Sequence, residues 1–490
     1  MADLEVRTGT GIVVGDRTDG VRRWRGIPYA QASRFQAPQP VASWDGVRDA
    51  TRYGNRCPQQ MGKKVREDQV LGDGVGEDCL MLNIWTPDGG APGLKPVFFW
   101  IHGGAFMAGS SDAYNGAALA KSGDIIVVTI NYRVGVFGFV NFGEALGLPD
   151  LPSNVGLRDQ IAALQWVRDN IAGFGGDPGR VTIAGQSAGS MSVSLLMLAE
   201  AARGLFHGAI MQSGAVSLIH DRDSSLRVAR RYAELLDLNQ GGRDRLRAMT
   251  PTELLKVQAM IGEEEKGGIP AAPFYDGELL PASLEEAHKR ATFDVPLMAG
   301  ATRDEIRLFE LMPGDILPTS WAQLETLVQE QLPQAQAQAL LAAYPRTTKG
   351  RRRFATDLTF AMPTRNFAHR HAQHSPTWYY RFDYSHPIAG ATHGLDLAFT
   401  WPFDSFIMAL VRGGRMVGRR AALAERIRRH LAHFTRHGTP GDDWPAYTPA
   451  ERNVYVYNLE DGLDVDPQAE CFAAWGGRDV STARSREVAV

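Results

Sequence analysis

Short apolar runs alternate along the chain with longer amphipathic segments. Val97-Phe98-Phe99-Trp100-Ile101 follows Pro96 and ends at His102-Gly103-Gly104, the length and punctuation of a buried strand. Ile125-Ile126-Val127-Val128-Thr129-Ile130 is apolar and β-branched, as a central parallel strand should be. Leu157, Ile161, Leu164, Val167 and Ile171 recur at spacings of 4, 3, 3 and 4, which predicts a helix with one buried face, ending near Phe174-Gly175-Gly176-Asp177-Pro178. Val181–Ala184 predicts the next strand and Ser190–Ala202 a mostly buried helix. Leu423, Ile427, Leu431 and Phe434 stripe a late helix that Gly438 and Pro440 stop. Strand–helix–strand–helix order predicts an α/β fold, a mostly parallel central sheet with helices on both faces. Two polar, helical blocks, about 219–268 and 311–375, interrupt this order and read as cap insertions in a single domain spanning 1–490. No internal repeat is present.

Composition narrows the class. Of 490 residues, 44% are hydrophobic and 22% charged, an ordinary folded mixture that excludes disorder, collagen-like repeats and a disulfide-dense scaffold. The net charge of −3 gives no bulk attraction to nucleic acid or anionic lipid. Arg351-Arg352-Arg353 and the arginines between 412 and 429 fall on helical segments without an aromatic platform and read as solvated faces. His369, His371 and His374 do not share one helical face and no HExxH is present, so no metal is expected. Gly72-x-Gly74-x-Gly76 lacks a preceding strand and reads as a loop. No apolar run approaches the ~18 residues of a membrane span. The first residues lack a basic and then apolar leader, which favours a cytoplasmic protein; secretion with a removed leader is the alternative. Cys57, Cys79 and Cys471 fit no zinc or thioredoxin-type spacing.

The chemistry begins at Gly185-Gln186-Ser187-Ala188-Gly189, a G-x-S-x-G match that is weak alone. Its setting, between a strand ending at Ala184 and a helix, is that of a nucleophile elbow. Small residues two before and two after the serine let strand and helix approach, and the helix N-terminus adds positive potential. A serine hydroxyl needs a base, and the tetrahedral intermediate needs N–H donors. His102-Gly103-Gly104-Ala105-Phe106, also after a strand, resembles the HGGG loop that supplies them. The expected donors are Gly104, Ala105 and Ala188.

The chain resembles a type-B carboxylesterase, the cholinesterase-like branch of the α/β-hydrolases, of the bacterial carboxylesterase and p-nitrobenzyl esterase type. Arg25-Gly26-Ile27-Pro28-Tyr29-Ala30, Glu77-Asp78-Cys79-Leu80-Met81-Leu82-Asn83-Ile84, Asn131-Tyr132-Arg133-Val134-Gly135 and Asn154–Gln160 are similar to that family's motifs, in its order. In α/β-hydrolases the triad runs serine, acid, histidine. The residues of Arg303-Asp304-Glu305 leave Asp304 and Glu305 equally plausible as the acid, and His386 rivals His393 as the base. The resemblance selects Glu305 and His393. It also implies ion pairs Arg34–Glu77 and Arg133–Asp159, a Cys57–Cys79 disulfide, Ser213 supporting the acid, and Gln186, Phe106 and Phe309 on the substrate pocket. Three positions depart from the family: Gln186 stands where Glu is usual, Ala105 where Gly is usual, and Ile306 replaces the Gly after the acid. The resemblance implies an α/β-hydrolase fold and a serine carboxylesterase acting through an acyl-enzyme. Its substrates would be small to medium, mostly uncharged esters. No cofactor, metal, nucleic-acid or membrane partner is implied, and a monomer is favoured. A carbamate or amide hydrolase is the near alternative, and a catalytically silent binding module the distant one.

Overall fold

The computed structural model describes residues 2–60, 72–216, 218–238, 242–264, 269–312, 317–387, 389–402, 416–467 and 469–480. Parts of the two expected cap blocks (239–241, 265–268, 313–316) and the start of the arginine run (412–415) lie outside the described residues.

Eleven strands build the main sheet among the described residues: β1 Asp16–Thr18, β2 Val21–Pro28, β3 Met81–Pro87, β4 Lys95–Ile101, β5 Ile126–Ile130, β6 Gly176–Gln186, β7 Gly208–Gln212, β8 Leu297–Thr302, β9 Thr377–Phe382, β10 Asn453–Tyr457 and β11 Gly462–Val465. In space they run β11-β10-β9-β8-β7-β6-β4-β5-β3-β2-β1. Every pairing from β5 to β10 is parallel; those at the two ends are antiparallel. A small second sheet joins Glu5–Arg7, Ile12–Val14 and Val47–Asp49.

The parallel strands are apolar on both sides because both faces are covered. Along β4, Val97, Phe99 and Ile101 enter one core, with helices α1 Val155–Asn170, α2 Ala188–Leu196 and, further on, Met362–His371. Phe98 and Trp100 enter the other, where Trp401 and the helix Arg419–His437 pack. That last helix ends as its sequence predicts, on Gly438 at φ 72. The two blocks of polar sequence contribute α3 Arg222–Leu235 and α4 Pro251–Glu264, then α5 Trp321–Gln331, α6 Gln334–Ala342, α7 Thr348–Thr356, a π-helical turn Asp357–Ala361, and α8 Met362–His371. Among the described residues no helix is long and apolar enough to cross a membrane.

One buried ion pair ties this frame to the site. Asp159 of α1 accepts from Arg133 through its backbone N–H (3.1 Å), Nε (2.8 Å) and Nη2 (2.7 Å). The adjacent Tyr132 hydroxyl donates to the His102 carbonyl (2.8 Å) and its ring stacks on the His102 imidazole at 4.4 Å. The loop after β5 therefore braces the loop after β4. The Arg34–Glu77 pair also forms, with Arg34 Nε 2.8 Å from Glu77 Oε2. The expected Cys57–Cys79 disulfide does not: both are buried free thiols. A hydrogen bond to Cys57, and then burial, hold the Cys79 thiol well above its ordinary range.

Candidate active site

The loops leaving β4, β6, β7, β8 and β9 meet at the C-terminal edge of adjacent parallel strands, where open α/β sheets build their sites. Ser187 follows β6 directly and caps α2 with φ 58 and ψ −124, a conformation that a side chain rarely adopts. Close packing enforces it. A Cβ on Gly185 would stand 2.4 Å from the Gly189 carbonyl, and one on Gly189 would stand 2.1 Å from the Ile101 carbonyl oxygen. Strand and helix touch backbone to backbone, and the turn between them projects the serine. Ser187 N–H donates to the Gln212 carbonyl (2.9 Å), fastening the elbow to β7.

Glu305 lies three residues beyond β8 and is fully buried. Its Oε1 accepts the Thr302 N–H (2.6 Å), and its Oε2 lies 2.5 Å from His393 Nδ1. The carboxylate therefore accepts a hydrogen bond from Nδ1–H and leaves Nε2 as the lone-pair nitrogen. That nitrogen faces the elbow, 3.1 Å from Gln186 Nε2. The imidazole is held between rings: Phe360 at 4.4 Å and Phe309 at 5.2 Å between centroids.

Residues 104 to 106 all have positive φ (122, 55 and 59), which turns the loop sharply after β4. Among the described residues the N–H groups of Gly104, Ala105 and Ala188 have no hydrogen-bond partner. Burial pulls His102 down to about 4, so it remains a neutral ring within this loop.

Other expectations are met differently. Asp304 turns away from the couple, and its Oδ2 accepts the Ala391 N–H (3.1 Å), steadying the histidine loop. His386 closes a turn with Gly390 in that loop. Ser213 Oγ is buried without a hydrogen bond and does not support Glu305. Phe106 is not on the pocket wall: its left-handed backbone turns the ring into the core against Phe139, with no accessible surface. Phe309 stays partly exposed beside His393. His371 and His374 meet on Thr292 Oγ1, while His369 faces Tyr447. Among the described residues no group of three His, Cys, Asp or Glu side chains could hold a metal ion.

Two neighbours escaped the sequence reading. Phe360 comes from the π-helical turn, and nothing in its spacing marks it. Asp396 is buried on the histidine loop, with its Oδ2 accepting from Gln212 Nε2 (3.1 Å). Burial, then the nearby Glu305 charge, pushes its carboxyl up to about 6.

Comparison with known proteins finds relatives along nearly the whole chain. Residues 2–475 match the carboxylesterase family. The chain is 36% identical over 485 residues to a para-nitrobenzyl esterase of Bacillus subtilis, covering 95% of this chain and 97% of that one. It is 32% identical to a human cocaine esterase, covering 96% and 90%. A solved PNB esterase superposes with a TM-score of 0.88 at 34% identity, covering 96% and 99%. The carboxylesterase of Geobacillus stearothermophilus does so with 0.82 at 33%, covering 96% and 100%.

Proposed function

The chain belongs to the carboxylesterase family and hydrolyses carboxylic esters, and from that premise we propose that Ser187, His393 and Glu305 carry the reaction. Ser187 Oγ attacks the ester carbonyl as its proton passes to His393 Nε2. His393 returns that proton to the departing alkoxide, and water then resolves the acyl-enzyme by the same route reversed. Glu305 holds the ring in the tautomer that presents Nε2 and stabilises the imidazolium. The N–H groups of Gly104, Ala105 and Ala188 receive the carbonyl oxygen as it becomes an oxyanion, an interaction worth roughly 3–4 kcal/mol per donor in such sites. The observation that carries this reading is the 2.5 Å Glu305–His393 couple beside a serine on a strained elbow.

The substrates proposed are small to medium, mostly uncharged esters, with Phe309 on the acyl wall and the helices of 219–264 and 317–371 forming a cap that bounds the pocket. Gln186 puts a neutral amide where the family usually has a carboxylate, which removes the attraction for a cationic alcohol. A choline ester and its neutral isostere should therefore be hydrolysed with similar kcat/KM, and a marked choline preference would reject this. All groups named in the reaction come from one chain, so the proposed chemistry needs no residue from a partner subunit.

Hydrolysis of p-nitrophenyl esters from acetate to palmitate, with Ser187→Ala as control, tests the assignment. Short chains should turn over, and the variant should lose about 10⁴-fold or more in kcat. A variant that keeps the parent rate would sink the nucleophile. Turnover of an aryl carbamate, in place of a stable carbamoyl-Ser187, would favour the carbamate hydrolase.

A further inference from the structure

The Gln186 side chain sits on the atom that must take the serine's proton. Its Nε2 lies 3.1 Å from His393 Nε2, while Ser187 Oγ makes no hydrogen bond among the described residues. With Nδ1–H directed at Glu305, His393 Nε2 can only accept, so the amide N–H donates into the lone pair that the reaction uses. The amide is well seated. Gln186 is 4% exposed and ends β6, in register with Gln212 of β7. A Cβ on Gly103 would stand 3.2 Å from its Oε1, and one on Gly394 would stand 3.7 Å from its Nε2. It thus fills the gap between the oxyanion loop and the histidine loop.

We propose that Gln186 is a positioning residue for the proton transfer: its amide holds neutral His393 in place at rest and yields Nε2 to the Ser187 hydroxyl when an ester enters. The proposal rests on the reading of His393 as the base. No atom of Gln186 is consumed. The amide hydrogen bond to Nε2 breaks, the Ser187 Oγ–H proton moves to Nε2, Oγ bonds to the carbonyl carbon, and the carbonyl π pair moves to the oxygen held by the N–H donors.

The donor direction has a consequence that a carboxylate would reverse. An N–H aimed at Nε2 favours the neutral ring and is repelled once Nε2 carries its own proton. A carboxylate there would favour the imidazolium. The charged groups facing the ring are Glu305 at Nδ1 and Asp396 on its own loop. Phe309 and Phe360, from the other elements packed on it, carry no charge. Gln186 thus keeps a third carboxylate out of the cluster, and its N–H favours the neutral form of the base.

The test is the pH profile of kcat/KM on p-nitrophenyl acetate for the parent, Gln186→Met and Gln186→Glu, with His393→Ala alongside. The acid limb should climb in that order. The shift is under about one pH unit for the loss of a neutral hydrogen bond and about one to three for the added carboxylate. A merely structural role would lower the rate without moving the limb. If the limb stays in place in both variants while His393→Ala is inactive, the role of Gln186 is overturned and the base assignment stands. If His393→Ala keeps the parent rate, the base assignment falls and the proposal with it.

Discussion

Asp396 makes no ion pair with Lys or Arg among the described residues. It is buried, its partners are the Gln212 amide and the Leu397 N–H, and Glu305 is close enough to repel its charge. Its folded value of about 6 lies above the unfolded 3.8, so ionising it costs the folded state free energy. That cost is absent below about pH 4, grows as pH rises through 6, and is complete by pH 8, at about 3 kcal/mol for a shift of this size. Asp396→Asn keeps an acceptor and removes the titration. Urea unfolding at pH 4 and pH 8 should therefore show the variant gaining on the parent by about 3 kcal/mol between the two, and no gain would mean the carboxyl is better solvated than its burial implies. The serine turn, the glycines around it and the glycine-rich loop after β4 were legible in sequence because each is a local solution to a local constraint. Asp396 and Phe360 were not, because their environments are made by segments that meet only after folding. The choice of Glu305 over Asp304 came from the resemblance alone, since adjacent carboxyls differ only in which way the loop turns them.

At the scale of elements, backbone contact between β4, β6 and α2 is the tightest constraint near the site. Gly189→Ala should cost at least about 3 kcal/mol, because its new methyl meets a main-chain carbonyl that cannot move aside. A thermal midpoint near the parent's would show that α2 can slide. The Arg133–Asp159 pair couples α1 to the same region. Asp159→Ala leaves a buried guanidinium unpaired and should cost about 3–5 kcal/mol in chemical denaturation. A loss under about 1 kcal/mol would mean water reaches Arg133. The strands at Val97–Ile101 and Ile125–Ile130 and the helices around Leu157–Ile171 and Leu423–Phe434 declare themselves through apolar periodicity. Their limits do not: β6 starts at Gly176, five residues before Val181, because Lys95 pairs there. The helix expected to run to Ala202 stops at Leu196, and a separate 3₁₀ turn follows at Glu200–Ala202. The π turn at Asp357–Ala361 has no sequence signal, since Asp357 is held from outside its own turn by Tyr344 Oη (2.9 Å) as well as by Arg353 Nε (2.8 Å).

At the scale of the whole molecule, the end of the described chain returns to close the fold. Asp479 is buried and accepts from Asn366 Nδ2 (2.7 Å) and Arg370 Nη2 (3.1 Å) of α8. Burial alone would raise its carboxyl, but Arg370, His288 and Asn366 together hold it below the ordinary range. Its contribution is therefore present above about pH 4 and is lost as pH falls. Asp479→Ala should cost about 3–5 kcal/mol at pH 7, with the deficit shrinking in acid, and an unchanged midpoint at pH 7 would refute the anchoring. The parallel sheet and the cover on both its faces followed from the strand–helix alternation, but a contact between residue 479 and residue 366 is invisible to any local pattern. The same long reach governs when the molecule becomes reactive. Gln186 and His393 stand side by side yet are 207 positions apart, and between them the chain must add three more strands to the growing sheet. During synthesis the proposed nucleophile, Ser187, leaves the ribosome long before the proposed base, His393, exists. With those proposed roles, a half-made chain is chemically mute, unable to acylate itself on passing esters, and the first turnover certifies that a molecule is finished.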